Sequence, residues 1–393
     1  MNTITICIIG LMASVNSDLL VDLPADQESI YVNISYDLIP FEEYYPELLW
    51  VKSAFWPGII GYSEDCVFCS GINRWHSSEI SIFFADGSKE VLHIVPGWQH
   101  DYYVAMQDDT LYAISTGDDD LAMDLYTVSI STGDILRTLY MHAPATSSPI
   151  LIDDMVIVSL LDGNLIALKQ DTVVWGYTLN SLSTGPMLLH DSMLLFGTNS
   201  SYTEPGHHLE CYSKYLVSER DLRINEPSFF ALDPENGELL WRTHLTDHVA
   251  GPTSIVDGTI YASLDDGSII ALDIESGDLR WQEHDCVGEF GRFGISEDYL
   301  LCSSDKGTRC LDPTDGREIW SSDLVSCDGS AGVWKDIVFI LDGLILVALD
   351  GVTGDRLWHF NRGWSNGEIL VHGDLIYTTS RDHVFCLEMK PID

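Results

Sequence analysis

The sequence predicts an all-β protein, an eight-bladed β-propeller built from four-stranded antiparallel blades. Three observations carry this prediction. A repeat recurs with a period near 40 residues. Asp-Gly and related hinges cut each repeat into short strands. A single strand near the N-terminus supplies what the last repeat lacks.

The repeat is plainest in the C-terminal half. FALDPENGELLW ends at Trp241, IALDIESGDLRW at Trp281, RCLDPTDGREIW at Trp320 and VALDGVTGDRLW at Trp358. The steps between these tryptophans are 40, 39 and 38 residues. A fixed period of this size is the signature of a repeat architecture. Each copy has an alternating apolar run, a Gly-containing turn and a short strand ending in Trp. The residues between copies repeat as well. Val256-Asp257-Gly258 and Asp265-Asp266-Gly267 are hinges between alternating apolar residues, the strongest short-range hairpin signal. One repeat is therefore a four-stranded meander, with strands A, B, C and D.

Earlier copies are weaker but legible. NLIALKQDTVVW ends at Trp175, Arg137 and Val91 stand where a Trp is expected, and YPELLW ends at Trp50. After Trp358 the chain writes A, B and C strands but no D strand. The strand ending in Trp50 is expected to complete that last blade and leave no open edge. The division expected is an N-terminal extension over 1–44, with strands packed on the propeller, and the propeller over 45–393.

These repeats resemble the pyrroloquinoline-quinone-type repeat of quinoprotein dehydrogenase-like eight-bladed propellers. Ala231-Leu232-Asp233, Gly237 and Trp241 match the family signature best. The resemblance implies that Trp50, Trp175, Trp241, Trp281, Trp320 and Trp358 dock each blade against its neighbour. A bulky aromatic at one period-locked place can bury about 150–250 Å² there. Family enzymes also carry an adjacent Cys-Cys pair, a calcium site and a catalytic Asp beside the quinone. This sequence has no adjacent cysteines, and neither the calcium ligands nor the Asp map onto a position. By size it is similar to the non-catalytic branch, so no cofactor, catalytic residue or metal is expected.

Composition narrows the functional classes. Sixty-one Asp and Glu against 19 Lys and Arg give a formal net charge of −42. Self-repulsion of this size destabilises a compact state, and molar salt screens it by shrinking the Debye length to about 3 Å. The expectation is adaptation to high salt, with solvent cations as the acid surface's companions. Nucleic-acid binding is not expected, because neutralising phosphates requires Lys and Arg. No segment after the N-terminus has 18 uncharged apolar residues, so no membrane span is expected. At the N-terminus TITICI alternates like a strand and no Lys or Arg precedes the apolar stretch, so a structured first strand is the leading expectation and a cleaved secretory signal the alternative. Location stays open, with extracellular, cell-surface or virion settings favoured over cytoplasm.

The nine cysteines read as buried core thiols. Cys66 and Cys69 have CxxC spacing, but no second pair completes a zinc site. Cys302 and Cys310 flank the SSDKGT hairpin and are expected to face each other directly, leaving a bond between them open.

One interval breaks the period. Trp175 to Trp241 spans 66 residues, about 26 more than the period. The surplus, 199–228, falls in a B-to-C turn and holds Tyr202, His207, His208, Tyr212, Tyr215, Arg220 and Arg223. Tyr and Arg are favoured in binding hot spots, and long insertions on repeat scaffolds often carry function. These seven residues are the candidate partner-binding set. The other face gathers acids at its A-to-B and C-to-D turns, including Asp153, Asp257, Asp336, Asp374, Glu235, Glu275 and Asp315. His244 and His284 echo each other in the D-to-A loops, and repeat position alone accounts for that. The functional expectation is a non-catalytic scaffold that binds a protein or glycan partner, as a surface or assembly component of a halophile or its virus. The alternatives are a quinone-dependent dehydrogenase and an intracellular interaction or sensor scaffold.

Overall fold

The computed structural model describes residues 5–9, 18–20, 33–35, 44–53, 58–63, 66–72, 78–84, 86–92, 102–115, 123–141, 143, 145–160, 163–170, 172–179, 185–199, 226–288, 292–325, 331–362, 367–380 and 383–391. Every regular element among them is a strand. The N-terminal strands are β1 (Thr5–Ile9), β2 (Asp18–Leu20), β3 (Asn33–Ser35) and β4 (Tyr44–Ser53). The next sheet runs β5 (Gly58–Ser63), β6 (Cys66–Ile72), β7 (Ser78–Phe84) and β8 (Lys89–Leu92). Blade two is β9 (Tyr102–Gln107), β10 (Thr110–Ser115), β11 (Met123–Ser129) and β12 (Ile135–Met141). Blade three is β13 (Ile150–Ile152), β14 (Met155–Ser159), β15 (Asn164–Lys169) and β16 (Thr172–Thr178). Blade four is β17 (Leu188–His190), β18 (Met193–Gly197), β19 (Ser228–Leu232) and β20 (Leu239–His244). Blade five is β21 (Val249–Val256), β22 (Thr259–Leu264), β23 (Ile269–Asp273) and β24 (Leu279–Glu283). Blade six is β25 (Phe293–Ile295), β26 (Leu300–Ser304), β27 (Gly307–Leu311) and β28 (Glu318–Ser322). Blade seven is β29 (Ala331–Trp334), β30 (Ile337–Asp342), β31 (Ile345–Asp350) and β32 (Arg356–Asn361). The last blade is β33 (Ile369–His372), β34 (Leu375–Ser380) and β35 (His383–Pro391), followed in the sheet by β4.

The sequence reading of eight four-stranded meanders holds, as does the closing strand. β4 pairs antiparallel with β35, from His383 opposite Ser53 to Pro391 opposite Tyr44. The blade lacking a D strand at one chain end receives it from the other. The extension also reaches the sheets. β3 adds antiparallel to β32, β1 lies parallel on β3, and β2 lies on β1.

The chain forms two compact units. One comprises Met1–Gly71, Ser81–Glu90 and Asp285–Asp393, and the other Ile72–Ile80 and Val91–His284. In the second unit the core fills the spaces between successive sheets. Met193, Leu195, Phe229, Val249, Ile260 and Leu272 form one such layer, and Trp175, Leu194, Phe196 and Phe230 form the next. The first unit repeats the scheme with Phe339, Trp358, Phe360, Phe385 and Leu387. B and C strands are apolar and buried almost throughout, as β18, β19 and β22 show. D strands are far more exposed. That gradient follows from the meander, in which the D strand is the outer edge of its blade.

A β-bulge recurs where C meets D. Ala231 pairs with Trp241 but Leu232 with Leu239, so Leu240 is extra. The same shift occurs at Ala167, Ala271, Cys310, Ala348 and Cys386. A bulge re-aims side chains and sharpens local twist. Here it falls beside the signature tryptophan in each case.

Candidate functional site

The insertion 199–228 joins β18 to β19 as a B-to-C turn. Tyr202, His207, His208, Tyr212, Tyr215, Arg220 and Arg223 lie outside the described residues. Its two ends are described, and they are held together. Thr198 N donates to Ser228 O at 2.9 Å, and Ser228 N donates to Thr198 Oγ1 at 3.0 Å. The ladder thus extends one step past β18 and β19 before the chain departs. On the returning side Arg242 donates to Glu226 Oε2 at 2.8 Å and to Ser228 Oγ at 2.9 Å from Nη2. Its guanidinium lies 5.2 Å from the Phe230 ring centroid, a distance at which the ring quadrupole attracts a cation.

The neck is also stitched to the next blade. Val249 N donates to Thr198 O at 2.8 Å, and Thr198 Oγ1 lies 3.0 Å from His248 Nδ1. Gly197 makes this approach feasible, since a Cβ there would run into Val249. His248 is buried. Burial depresses its pKa and favours the neutral ring, while Asp265 and Asp247 pull the other way. Sequence reasoning missed the neck because Thr198 and His248 are 50 residues apart and neither belongs to the repeat signature.

The signature tryptophans occupy equivalent places. Trp175 Nε1 donates to Pro234 O at 3.0 Å, Trp241 Nε1 to Ile274 O at 3.0 Å and Trp320 Nε1 to Gly351 O at 2.7 Å. Each acceptor belongs to the C-to-D turn of the following blade. Trp50 stacks on Phe83 at 5.8 Å, and Trp281 is tilted against Tyr261 at 5.9 Å. Trp358 is fully buried beside Phe339, yet its Nε1 has no acceptor among the described residues. The reason is topological. The last blade has no C-to-D turn, because β35 and β4 come from opposite chain ends, so the expected turn carbonyl is missing.

The acids of the other face are engaged locally. Asp153 and Asp257 adopt left-handed backbone at φ 51° and 44° in the A-to-B turns. Asp336 accepts from Tyr299 and Asp374 from Trp334 Nε1. Asp273 caps its own turn and meets Arg280 Nη2 at 2.7 Å, which holds its carboxyl down at about 2. Glu235 and Glu275 are exposed in the C-to-D turns. His244 ends β20 and His284 follows β24. Among the described residues no three His, Cys, Asp or Glu side chains converge as a metal site.

A polar hollow of about 440 Å³ lies at the B-to-C end of blade six. Lys306, Arg309, Glu318, Ser321 and Asp323 are among its lining residues. Its cations are already paired, Lys306 with Asp285 at 2.6 Å and Arg309 with Glu318 at 2.8 Å.

The cysteine expectation needs correction. Cys302 pairs with Arg309, and Cys310 with Leu301. The hairpin closes at Ser304 opposite Gly307, which puts the two cysteines one position out of register and therefore on opposite sheet faces. Cys310 packs with Tyr299, Trp320 and Val338, while Cys302 meets Cys286. Both are buried free thiols. Cys69 is also buried and free, and burial pushes its thiol pKa up.

The fold defined by these sheets is the β-propeller. Residues 222–290 and 304–388 match the family model described as outer membrane protein assembly factor BamB. Among solved structures, BamB from Moraxella catarrhalis superposes with a TM-score of 0.63 at 14% identity, covering 88% of this chain and 98% of that one. The computationally designed Ika8 protein superposes with a TM-score of 0.62 at 13% identity, covering 87% and 99%. No curated protein matches. At these identities the likeness speaks for the fold.

Proposed function

We propose that the chain is a non-catalytic scaffold whose insertion, 199–228, contacts a protein partner. The observation that carries this is the neck. Thr198 and Ser228 hydrogen-bond to each other across the base of the insertion, which supports a blade whose ladder closes without the residues between them. The segment exceeds the repeat period by about 26 residues, and long insertions on repeat scaffolds often carry function. It concentrates Tyr202, Tyr212 and Tyr215 with Arg220 and Arg223 in a chain poor in basic residues. The match of residues 222–290 and 304–388 to a family model described as an assembly factor supports a binding role. The setting we propose is a high-salt one, in which 61 acidic side chains are screened.

Affinity capture from cells of the source, in molar potassium chloride, tests this reading. Tyr212→Ala, Tyr215→Ala and Arg223→Ala are each expected to weaken capture of one specific protein, by about 1–2 kcal/mol where the residue is an anchor. Undiminished capture by all three variants would move the contact away from the insertion.

A further inference from the structure

We propose that the outer edge of β12 is a strand-addition site for an extended segment of another protein, apolar at its centre and basic at its ends. This rests on the reading of the chain as a protein-binding scaffold. It uses a surface separate from the insertion.

The chain itself shows how a D strand accepts an extra strand. β3 pairs with β32 at His359, Phe360 and Asn361, immediately beyond Trp358. The equivalent stretch of β12 follows from the bulge. On β32, Ala348 pairs with Trp358 and Leu349 with Arg356, leaving Leu357 extra. On β12, Thr127 pairs with Arg137 and Val128 with Ile135, leaving Leu136 extra. Arg137 therefore stands where Trp358 stands, and Thr138, Leu139 and Tyr140 correspond to the residues that receive β3. β12 is the terminal strand of its sheet, and no strand lies on its outer edge among the described residues.

Other D strands guard the same three positions. β20 places Arg242, Thr243 and His244 there, and the Thr243 hydroxyl donates to Gly277 O. β24 reaches Glu283 and His284, and β28 reaches Asp323. β16 is the exception: Gly176, Tyr177 and Thr178 carry no charge, and Tyr177 packs edge-on against Phe230 as Leu139 packs on its own core layer. Thr138-Leu139-Tyr140 carries no charge. Tyr140 is 64% exposed and the bulge residue Leu136 60%. Protein edges normally carry charge, proline or cover to prevent pairing, and on β12 the three receiving positions have none of these among the described residues, Arg137 standing one position earlier. Strand addition supplies affinity through main-chain hydrogen bonds and specificity through alternate side chains.

Charge selects the partner. Asp108, Asp109 and Asp134 are exposed at the turn end of the blade, and Asp124 lies opposite Tyr140 in the ladder. Arg137 is the single basic residue of β12. A strand with Lys or Arg at both ends and apolar residues between them complements this edge.

The test uses the full-length chain and a fluorescent, amidated nonapeptide, Lys-Lys-Val-Thr-Val-Thr-Val-Lys-Lys, followed by anisotropy in salt that keeps the chain folded. Saturable binding is expected. The double variant Leu136→Glu/Tyr140→Glu should weaken it tenfold or more. Both side chains are exposed, so circular dichroism should show an unchanged melt. A peptide with Pro for the central Val should also bind at least tenfold more weakly to the unaltered chain, because Pro removes a ladder donor. Val174→Glu on β16, and replacement of 199–227 by Asp-Gly, should change nothing. Absence of saturable binding overturns the proposal. So does equal binding by the double variant or by the Pro peptide, or an equal loss with Val174→Glu. A chain that self-associates through this edge, with the double variant monomeric in sedimentation, overturns the choice of partner. Because the insertion is not involved, failure here and failure of the insertion reading are separate results.

Discussion

The indole of Trp175 lies over the backbone of Gly237, so close that a Cβ there would stand 2.6 Å from Trp175 Cε3. Gly237 also holds φ at 73°, a conformation that L side chains rarely adopt. The same turn gives Pro234 O to Trp175 Nε1. Gly237→Ala should therefore cost about 1–3 kcal/mol although it adds one methyl group. Trp175→Ala, which empties the joint, should cost about 3–5 kcal/mol. Chemical denaturation of the two variants measures both. A Gly237→Ala chain as stable as the parent would mean that the indole and the turn are not in contact.

The last blade depends on a strand from the far end of the chain. Deleting residues 1–50 removes Tyr44 to Trp50 of β4, bares most of the edge of β35 and takes away the Trp50 ring, which stacks on Phe83 and tilts against Tyr377 at 6.0 Å. Aggregation or a large drop in melting temperature is expected. A truncated chain that melts like the parent would rule this closure out.

His248 makes the insertion neck sensitive to acid. Its ring is buried and its folded pKa lies below the ordinary value. The folded state then binds fewer protons than the unfolded state, so stability is complete above a pH of about 6.5 and declines as pH falls below it. His248→Gln removes the titration and should flatten that part of the stability-versus-pH curve relative to the parent. Identical slopes for the two proteins between about pH 6.5 and 5 would show that His248 protonates without cost.

Salt should govern the whole molecule. With a formal net charge of −42, lowering potassium chloride from molar to millimolar concentration exposes long-range repulsion. The melting temperature should fall steeply over that range. A melting curve indifferent to salt would remove the argument for a high-salt setting.

What the sequence disclosed follows from its period. Every D strand could be placed because Trp241, Trp281, Trp320 and Trp358 keep one spacing, and the missing D strand pointed to Trp50. Relations without a period were not legible. The register between Cys302 and Cys310 turns on where Ser304 and Gly307 close the hairpin, and a shift of one residue moves a side chain to the other face. The pairing of Thr198 with His248, and the docking of β3 on β32, join residues far apart in the chain and leave no local pattern. The exposed Tyr140 looks like any other strand residue until β12 is seen to end its sheet among the described residues.

The proposed contact requires an insertion that the blade can lose and the partner cannot. Replacing 199–227 by Asp-Gly, as in the short turn Asp265-Asp266-Gly267, leaves Thr198 and Ser228 in place and tests this in one comparison, because loop length contributes little to stability where the ends already meet. The measurement is the yield of the captured partner protein from parent and shortened chains in molar salt, with melting temperature recorded for both. The account predicts a shortened chain that melts within a few degrees of the parent and captures none of the partner. Normal capture by the shortened chain, or a shortened chain that does not fold, would contradict it.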